Sequence, residues 1–75
     1  MNLRWAVSAS VGSDGFVQAR LLSDKVEAEV VRVGPTNYYI EFPFERTVPL
    51  ERYQSLEQAK AVAVARVRFH HADKE

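Results

Sequence analysis

Two adjacent histidines, His70 and His71, are the residues of this 75-residue sequence that most readily suggest a metal site. On a helix, adjacent side chains point about 100° apart, whereas helical metal sites use histidines four residues apart on one face. The sequence holds no other histidine and no cysteine that could complete a set of ligands. We therefore expect neither a metal site nor a cofactor, and we interpret the pair as a solvated basic helix end that the helix dipole favours.

Acidic and hydroxyl side chains form no recognisable catalytic pattern in the sequence. There is no Gly-x-Ser-x-Gly motif, and without cysteine there is no cysteine–histidine pair for nucleophilic catalysis. Glu27, Glu29 and Glu41 lie at alternating positions of predicted strands, so we expect them on the outer face of a sheet. Paired carboxylates do acid–base chemistry where a pocket desolvates one of them, and an open sheet face provides no such pocket. The sequence thus predicts no catalytic residue and no enzymatic activity.

The charges of the chain are balanced, with ten lysines and arginines against ten aspartates and glutamates. Proteins that bind nucleic acid through phosphate contacts usually carry a basic excess, so nucleic acid is not the favoured partner. The alternative that stays open is a small nucleic-acid-binding or regulatory domain that uses the basic end of its C-terminal helix. The residues available for that role are Arg66, Arg68, His70, His71 and Lys74.

Length and composition predict one small folded domain over residues 1–75. A hydrophobic fraction of 47% is ordinary for a globular protein, and a chain of this length is too short for two domains. The absence of cysteine excludes disulfides and fits a reducing cytoplasm. No apolar run approaches the ~20 residues that span a bilayer, and the first residues lack the apolar stretch of a signal peptide. We expect a cytoplasmic protein without a membrane partner.

Four segments with apolar residues at every second position predict four β-strands. Turn residues separate them, so the strands are expected to follow one another in an antiparallel β-meander. Pro43 cannot donate a ladder hydrogen bond and places the fourth strand at a sheet edge. The turn at residues 12–15 has two glycines but precedes a strand and not a helix, which favours a hairpin turn over a phosphate-binding loop. The predicted strands cover residues 3–11, 17–21, 26–30 and 38–44.

The second and third strands are expected to pair through a two-residue turn at residues 23–24. That register places Arg20 opposite Glu27 on the outer face and pairs apolar residues on the inner face. The alternation slips where Val30 and Val31 adjoin, which predicts a bulge or a change of twist at that point.

The C-terminal segment predicts a helix that covers the apolar face of the sheet. Ser55 followed three residues later by Gln58 is the pattern of a capping box, and the helix is expected to run to about residue 70. Residues 66–70 also alternate as a strand would, so a short helix followed by a fifth strand stays open. The predicted fold class is α+β, a four-stranded antiparallel β-meander with one C-terminal α-helix packed on one face (ββββα). Its predicted core consists of Trp5, Val7, Ala19, Leu21, Ala28, Ile40, Phe42, Leu56, Ala63 and Val67, with Val62 and Phe69 flanking it.

Two surfaces of this fold are expected to be available to a partner. The first strand lies at a sheet edge with Arg4 as its only charge, although natural edges are usually blunted by charge, proline or bulges. On the helix, Ala61, Val64 and Ala65 are expected to point away from the sheet. A chain this short buries little surface alone, which favours a homodimer.

These features favour a small non-enzymatic protein-binding module, such as an accessory protein or a phage-type inhibitor that occupies a partner's surface. The expected partner is another protein or a second copy of the chain. The predicted partner-binding residues are Arg4, Ala6, Ala61, Val64 and Arg68.

Overall fold

A computed structural model describes residues 2–11, 15–45 and 51–74 of the chain. The elements are β1 (Arg4–Val11), β2 (Phe16–Leu22), β3 (Val26–Gly34), β4 (Asn37–Glu41) and α1 (Leu56–Lys74). The strands pair antiparallel in the order β1-β2-β3-β4, and α1 packs on one face of the sheet, mainly over β3 and β4. The predicted ββββα fold is confirmed. Most of the predicted turn at 12–15 lies outside the described residues.

The start of α1 has the predicted capping box. The backbone N–H of Gln58 donates to Ser55 Oγ at 3.1 Å, and Gln58 Oε1 accepts from the backbone N–H of Gln54 at 3.3 Å. The second bond reaches one residue further back than in the usual motif. Together these bonds satisfy backbone donors at the helix start that would otherwise lack partners.

The helix continues through residues 66–70 and ends at Lys74, so the alternative with a fifth strand is wrong. Ala59, Ala63 and Val67 are spaced four residues apart and are completely buried against the sheet. Burial of this face along the whole helix outweighs the modest helix propensity of its valines.

The hairpin between β2 and β3 has a three-residue turn, residues 23–25, instead of the predicted two-residue turn. Glu27 is an extra residue of β3 and forms a bulge next to this turn. The predicted pairing of Arg20 with Glu27 is therefore wrong. Arg20 pairs with Glu29, and its Nε lies 2.9 Å from Oε2 of that carboxylate. Because the register moves by two residues, each strand keeps the same face toward the core.

The predicted irregularity at Val30 and Val31 is confirmed. Val30 pairs with Ala19 and Val31 with Val17, so β2 has one extra residue between these pairs. Both valines are buried, on opposite faces of the sheet. On the outer face, Val31, Val17 and Tyr39 form a second, smaller apolar cluster. The outer face is therefore not uniformly polar.

The main core lies between α1 and the inner face of the sheet. Its buried residues are Leu21, Ala28, Val30, Ile40, Phe42, Ala59, Ala63 and Val67. Trp5 and Leu56 are partly buried against this core, and Ala19 is buried. Val7 is 96% exposed and Phe69 is 74% exposed, so placing Val7 in the core and Phe69 beside it was wrong. Since α1 lies mainly over β3 and β4, it leaves the middle of β1 uncovered.

Candidate functional site

Both histidines of α1 contact other parts of the chain, His70 the segment after β4 and His71 the strand β3. The His70 ring stacks on the Phe44 ring with centroids 3.8 Å apart and planes 7° from parallel. His71 Nε2 lies 3.0 Å from Glu27 Oε2, and both imidazoles are half-buried. The interpretation of this pair as a solvated basic helix end is therefore wrong. It failed because α1 runs past residue 70 and brings its last turns to the bulge in β3.

The Glu27 cluster, which consists of Ser23, Glu27 and His71, is built around the one buried charged side chain of the described structure. The Glu27 side chain is only 3% exposed, and each of its oxygens has a partner. The Ser23 hydroxyl donates to Oε1 at 2.6 Å, and His71 Nε2 contacts Oε2. Burial raises the pKa of the Glu27 carboxyl, but hydrogen bonds from Ser23 and His71 and the charges of His71 and Lys25 outweigh it and lower that pKa overall. Glu27 is thus an ionised, fully bonded carboxylate at neutral pH.

The order of groups in the Glu27 cluster differs from that of a hydrolytic triad. In a triad the imidazole lies between the hydroxyl and the carboxylate and takes the hydroxyl proton. Here the carboxylate lies between the other two groups, and the Ser23 hydroxyl donates to Glu27. The arrangement therefore connects the β2–β3 turn to the end of α1 and does not activate a nucleophile. In residues 2–11, 15–45 and 51–74 no group of three or more His, Cys, Asp or Glu side chains could hold a metal ion.

Alternation alone could not place Glu27 in this cluster, because it assigns the residue to the outer face. A turn of three residues instead of two changes that assignment, and both lengths are common in hairpins. The sequence signal that could have indicated this cluster is Ser23. Its hydroxyl lies at the start of the turn, four residues before the carboxylate of Glu27.

A cleft of about 740 Å³ opens beside the Glu27 cluster at the start of β1. Arg4 and Lys25 are exposed there and bring positive charge, and Asp24 brings negative charge. The Glu27 carboxylate is buried and each of its oxygens has a partner, so the exposed charges of the cleft are two cations and one acid. The cleft is lined by Asn2, Arg4, Ser23, Asp24, Lys25, Glu27 and His71.

The two edges of the sheet differ. At the β4 edge, the backbone N–H of Tyr38 donates to the Tyr53 carbonyl at 2.9 Å, and the N–H of Tyr53 donates to the Tyr38 carbonyl at 2.8 Å. At the β1 edge, no described residue pairs with the backbone. A register shift between Val7 and Ser10 interrupts the second half of β1, and the half from Arg4 to Val7 is regular. The predicted edge position of the first strand is confirmed, and Arg4 is its only charge.

The predicted helix residues fall on two different surfaces. Ala61 and Arg68 are exposed, as are Ala65 and Phe69. Val64 is half-buried and packs against the core, so its predicted place on an outer face is wrong. Val64 lies one turn after Lys60, whose Nζ is 5.1 Å from the centre of the Trp5 ring. Val64 is therefore on the side of α1 that faces β1.

The basic end of the helix is largely occupied by contacts within the chain. Arg66 forms an ion pair with Glu45 and lies 5.2 Å over the Phe42 ring. His70 contacts Phe44 and His71 contacts Glu27, and the side chain of Lys74 lies outside the described part of the chain. Of the five residues considered for nucleic-acid binding, Arg68 alone is described as exposed without such a contact. This geometry disfavours a phosphate-binding surface on the helix.

A scan against family models finds no match, and neither a search of curated proteins nor one of solved structures finds a significant match. In the described part of the chain, no helix is both long enough and apolar enough to cross a membrane.

Proposed function

We propose that this chain is a small non-enzymatic protein-binding module that binds an extended segment of another protein along the outer edge of β1. The observation that carries the proposal is the difference between the two sheet edges. At the β4 edge, Tyr53 forms both outward backbone hydrogen bonds of Tyr38, whereas the outer edge of β1, opposite β2, has no backbone partner among the described residues. Its absence of cysteine favours action in the cytoplasm.

Strand addition explains why an edge of this kind is useful. A segment that extends the sheet gains affinity from main-chain hydrogen bonds, and side-chain contacts on alternate residues give specificity. Val7 is almost completely exposed on the helix side of β1, so it supplies an apolar contact for one residue of the added strand. Ala6, on the other face, is small enough to admit a large side chain from that strand.

Charge at the start of β1 sets the direction and register of the bound segment. Arg4 and Lys25 line the cleft beside the edge, and both are exposed. An acidic residue of the partner placed in this cleft would meet more positive than negative charge. We therefore expect the module to select extended segments with an acidic residue near one end.

The test uses a displayed library of unstructured peptides selected on the immobilised protein. Two proline variants, Ala6→Pro and Val7→Pro, identify the site. Neighbouring residues of an edge strand point their N–H groups alternately toward the sheet and away from it, so one variant blocks the free edge and the other breaks the ladder to β2. Thermal unfolding tells them apart, because the edge-blocking variant keeps a melting temperature close to that of the unmodified protein.

The selected peptides are expected to bind at least about ten-fold more weakly to the edge-blocking variant, while amide exchange slows at alternate residues of β1 on binding. Arg4→Glu should abolish the preference for acidic peptides without changing the melting temperature. Peptides that bind the edge-blocking variant as tightly as the unmodified protein, or that protect no amide of β1, would refute the proposal.

A further inference from the structure

The face of α1 opposite the sheet is apolar along its centre and charged along one side. We name it the outer helix face, and its exposed residues are Glu57, Gln58, Ala61, Ala65, Arg68, Phe69 and Ala72. Phe69 is the most exposed aromatic residue described. On this face Phe69 lies beside the small side chains of Ala65 and Ala72, and together they offer an apolar patch on which a second surface can pack.

We infer that a second copy of the chain packs on this face, with the two α1 helices antiparallel about a two-fold axis. At 100° per residue, Glu57 and Arg68 lie on the same side of the outer helix face, near opposite ends. Phe69 lies on the other side, and Val62, which is half-buried and packs partly against the main core, borders the face there. A self-complementary face must match large to small and positive to negative when it is rotated onto itself.

The two-fold geometry meets this condition for antiparallel helices. The two-fold axis lies between the helices and perpendicular to them, so rotation about it keeps each side of the face on the same side and exchanges its two ends. Glu57 of each copy therefore meets Arg68 of the other, which gives two such pairs. On the opposite side, Phe69 of each copy meets Val62 of the other. With the axis at the level of residue 64, each pair is offset by about 4.5 Å along the helix, which these side chains can span.

A parallel arrangement does not satisfy the same condition. It places opposite sides of the face together at equal height, so that Arg68 faces Phe69 and Glu57 faces Gln58. It also aligns the two helix dipoles, which is unfavourable. The antiparallel pair in addition lets the helices approach closely, because Ala61 and Ala65 lie along the centre of the face.

The proposed dimer is independent of the binding proposed for β1. The outer helix face points away from the sheet, so both β1 edges stay accessible in the pair. A dimer of this kind presents two copies of the edge to a partner and raises its avidity for a partner with two matching segments.

Charge reversal tests the inference with sedimentation equilibrium as the readout. Arg68→Glu leaves two acidic residues on the side of the face, and Glu57→Arg leaves two basic residues. Each variant alone is expected to self-associate at least about ten-fold more weakly than the unmodified chain. An equimolar mixture of the two variants should recover dimers. In a mixed dimer one copy has acidic residues at positions 57 and 68 and the other has basic residues at both, so each contact joins opposite charges.

Phe69→Ala should also weaken the dimer at least about ten-fold while leaving the melting temperature of the monomer unchanged. Glu51→Arg, at an exposed position outside α1, is the matched control and should have no effect. A strict monomer at several hundred micromolar would overturn the inference. So would a dimer that withstands both charge reversals, or one that the edge-blocking proline variant of β1 abolishes, because that variant leaves the outer helix face intact.

Discussion

Replacing Glu27 by glutamine tests whether the Glu27 cluster stabilises the fold as its geometry indicates. Glutamine has nearly the same shape, and its carbonyl can still accept from the Ser23 hydroxyl, so the change removes mainly the negative charge. A hydrogen bond to a charged group contributes about 1.5–3 kcal/mol, against about 1 kcal/mol for a neutral one. With two such contacts on a carboxylate that is 3% exposed, we expect Glu27→Gln to lower the free energy of unfolding by about 1–3 kcal/mol at pH 7.

Glu29→Gln is the matched control. It removes the same charge from the same strand, but Glu29 and its partner Arg20 are both partly exposed. Ion pairs in that environment contribute less than about 1 kcal/mol. Urea unfolding of the three proteins at pH 7, followed by circular dichroism, measures the difference.

The pH dependence gives the second half of the test. Because the pKa of Glu27 is lowered in the folded state, its ionised form stabilises the protein fully above the ordinary pKa of a glutamate, about 4.3. That contribution is lost as the pH falls through the lowered pKa, when the carboxylate takes up a proton. The difference between the unmodified protein and Glu27→Gln should therefore shrink below pH ~4. Equal costs for the two glutamine variants, or a Glu27→Gln cost that persists unchanged to pH ~3, would refute the reasoning.

Three further outcomes are expected. Phe42→Ala should cost about 3–5 kcal/mol of stability because the ring is buried in the main core. Val7→Ala should cost under ~0.5 kcal/mol because its side chain is exposed. Equal costs of the two substitutions in thermal unfolding would contradict the core assignment. Burial, aided by the nearby charge of Glu51 and opposed by that of Arg66, raises the pKa of the Tyr53 phenol. Stability should thus fall as the pH rises through that raised pKa, and ultraviolet absorbance should show ionisation above pH ~10. EDTA should leave the melting temperature unchanged and calorimetry with zinc or nickel should show no stoichiometric binding; a tight site would show that the histidines were dismissed wrongly as ligands.

The sheet and the helix could be predicted from the sequence because their signals are local. Alternation over each strand and the Ser55–Gln58 capping pattern depend on residues close together in the chain, and both hold in the structure. The slip at Val30 and Val31 was visible for the same reason, since two adjacent apolar residues cannot share one face of a strand.

The details that could not be predicted depend on turn length and on which strands the helix covers. One extra turn residue moved Glu27 from the expected outer face to a buried bulge. The position of α1 over β3 and β4 left Val7 exposed, although its place in the alternation is that of a core residue. The same position, with four more helical residues than expected, brought His71 to Glu27. These are tertiary facts that no local pattern contains.

The pairing of Tyr38 with Tyr53 has a consequence for the size of any assembly built through the sheet. A sheet with two free edges can add strands without limit, and such growth leads to fibres. In the described structure the bridge from Tyr53 covers the β4 edge at Tyr38, so strand addition is favoured at the β1 edge. Once that position is filled by a segment that does not itself present a further edge, growth stops. The two backbone hydrogen bonds of Tyr53 thus obstruct strand addition at the β4 edge, which lets the molecule keep one binding edge open while limiting its use as a template for aggregation.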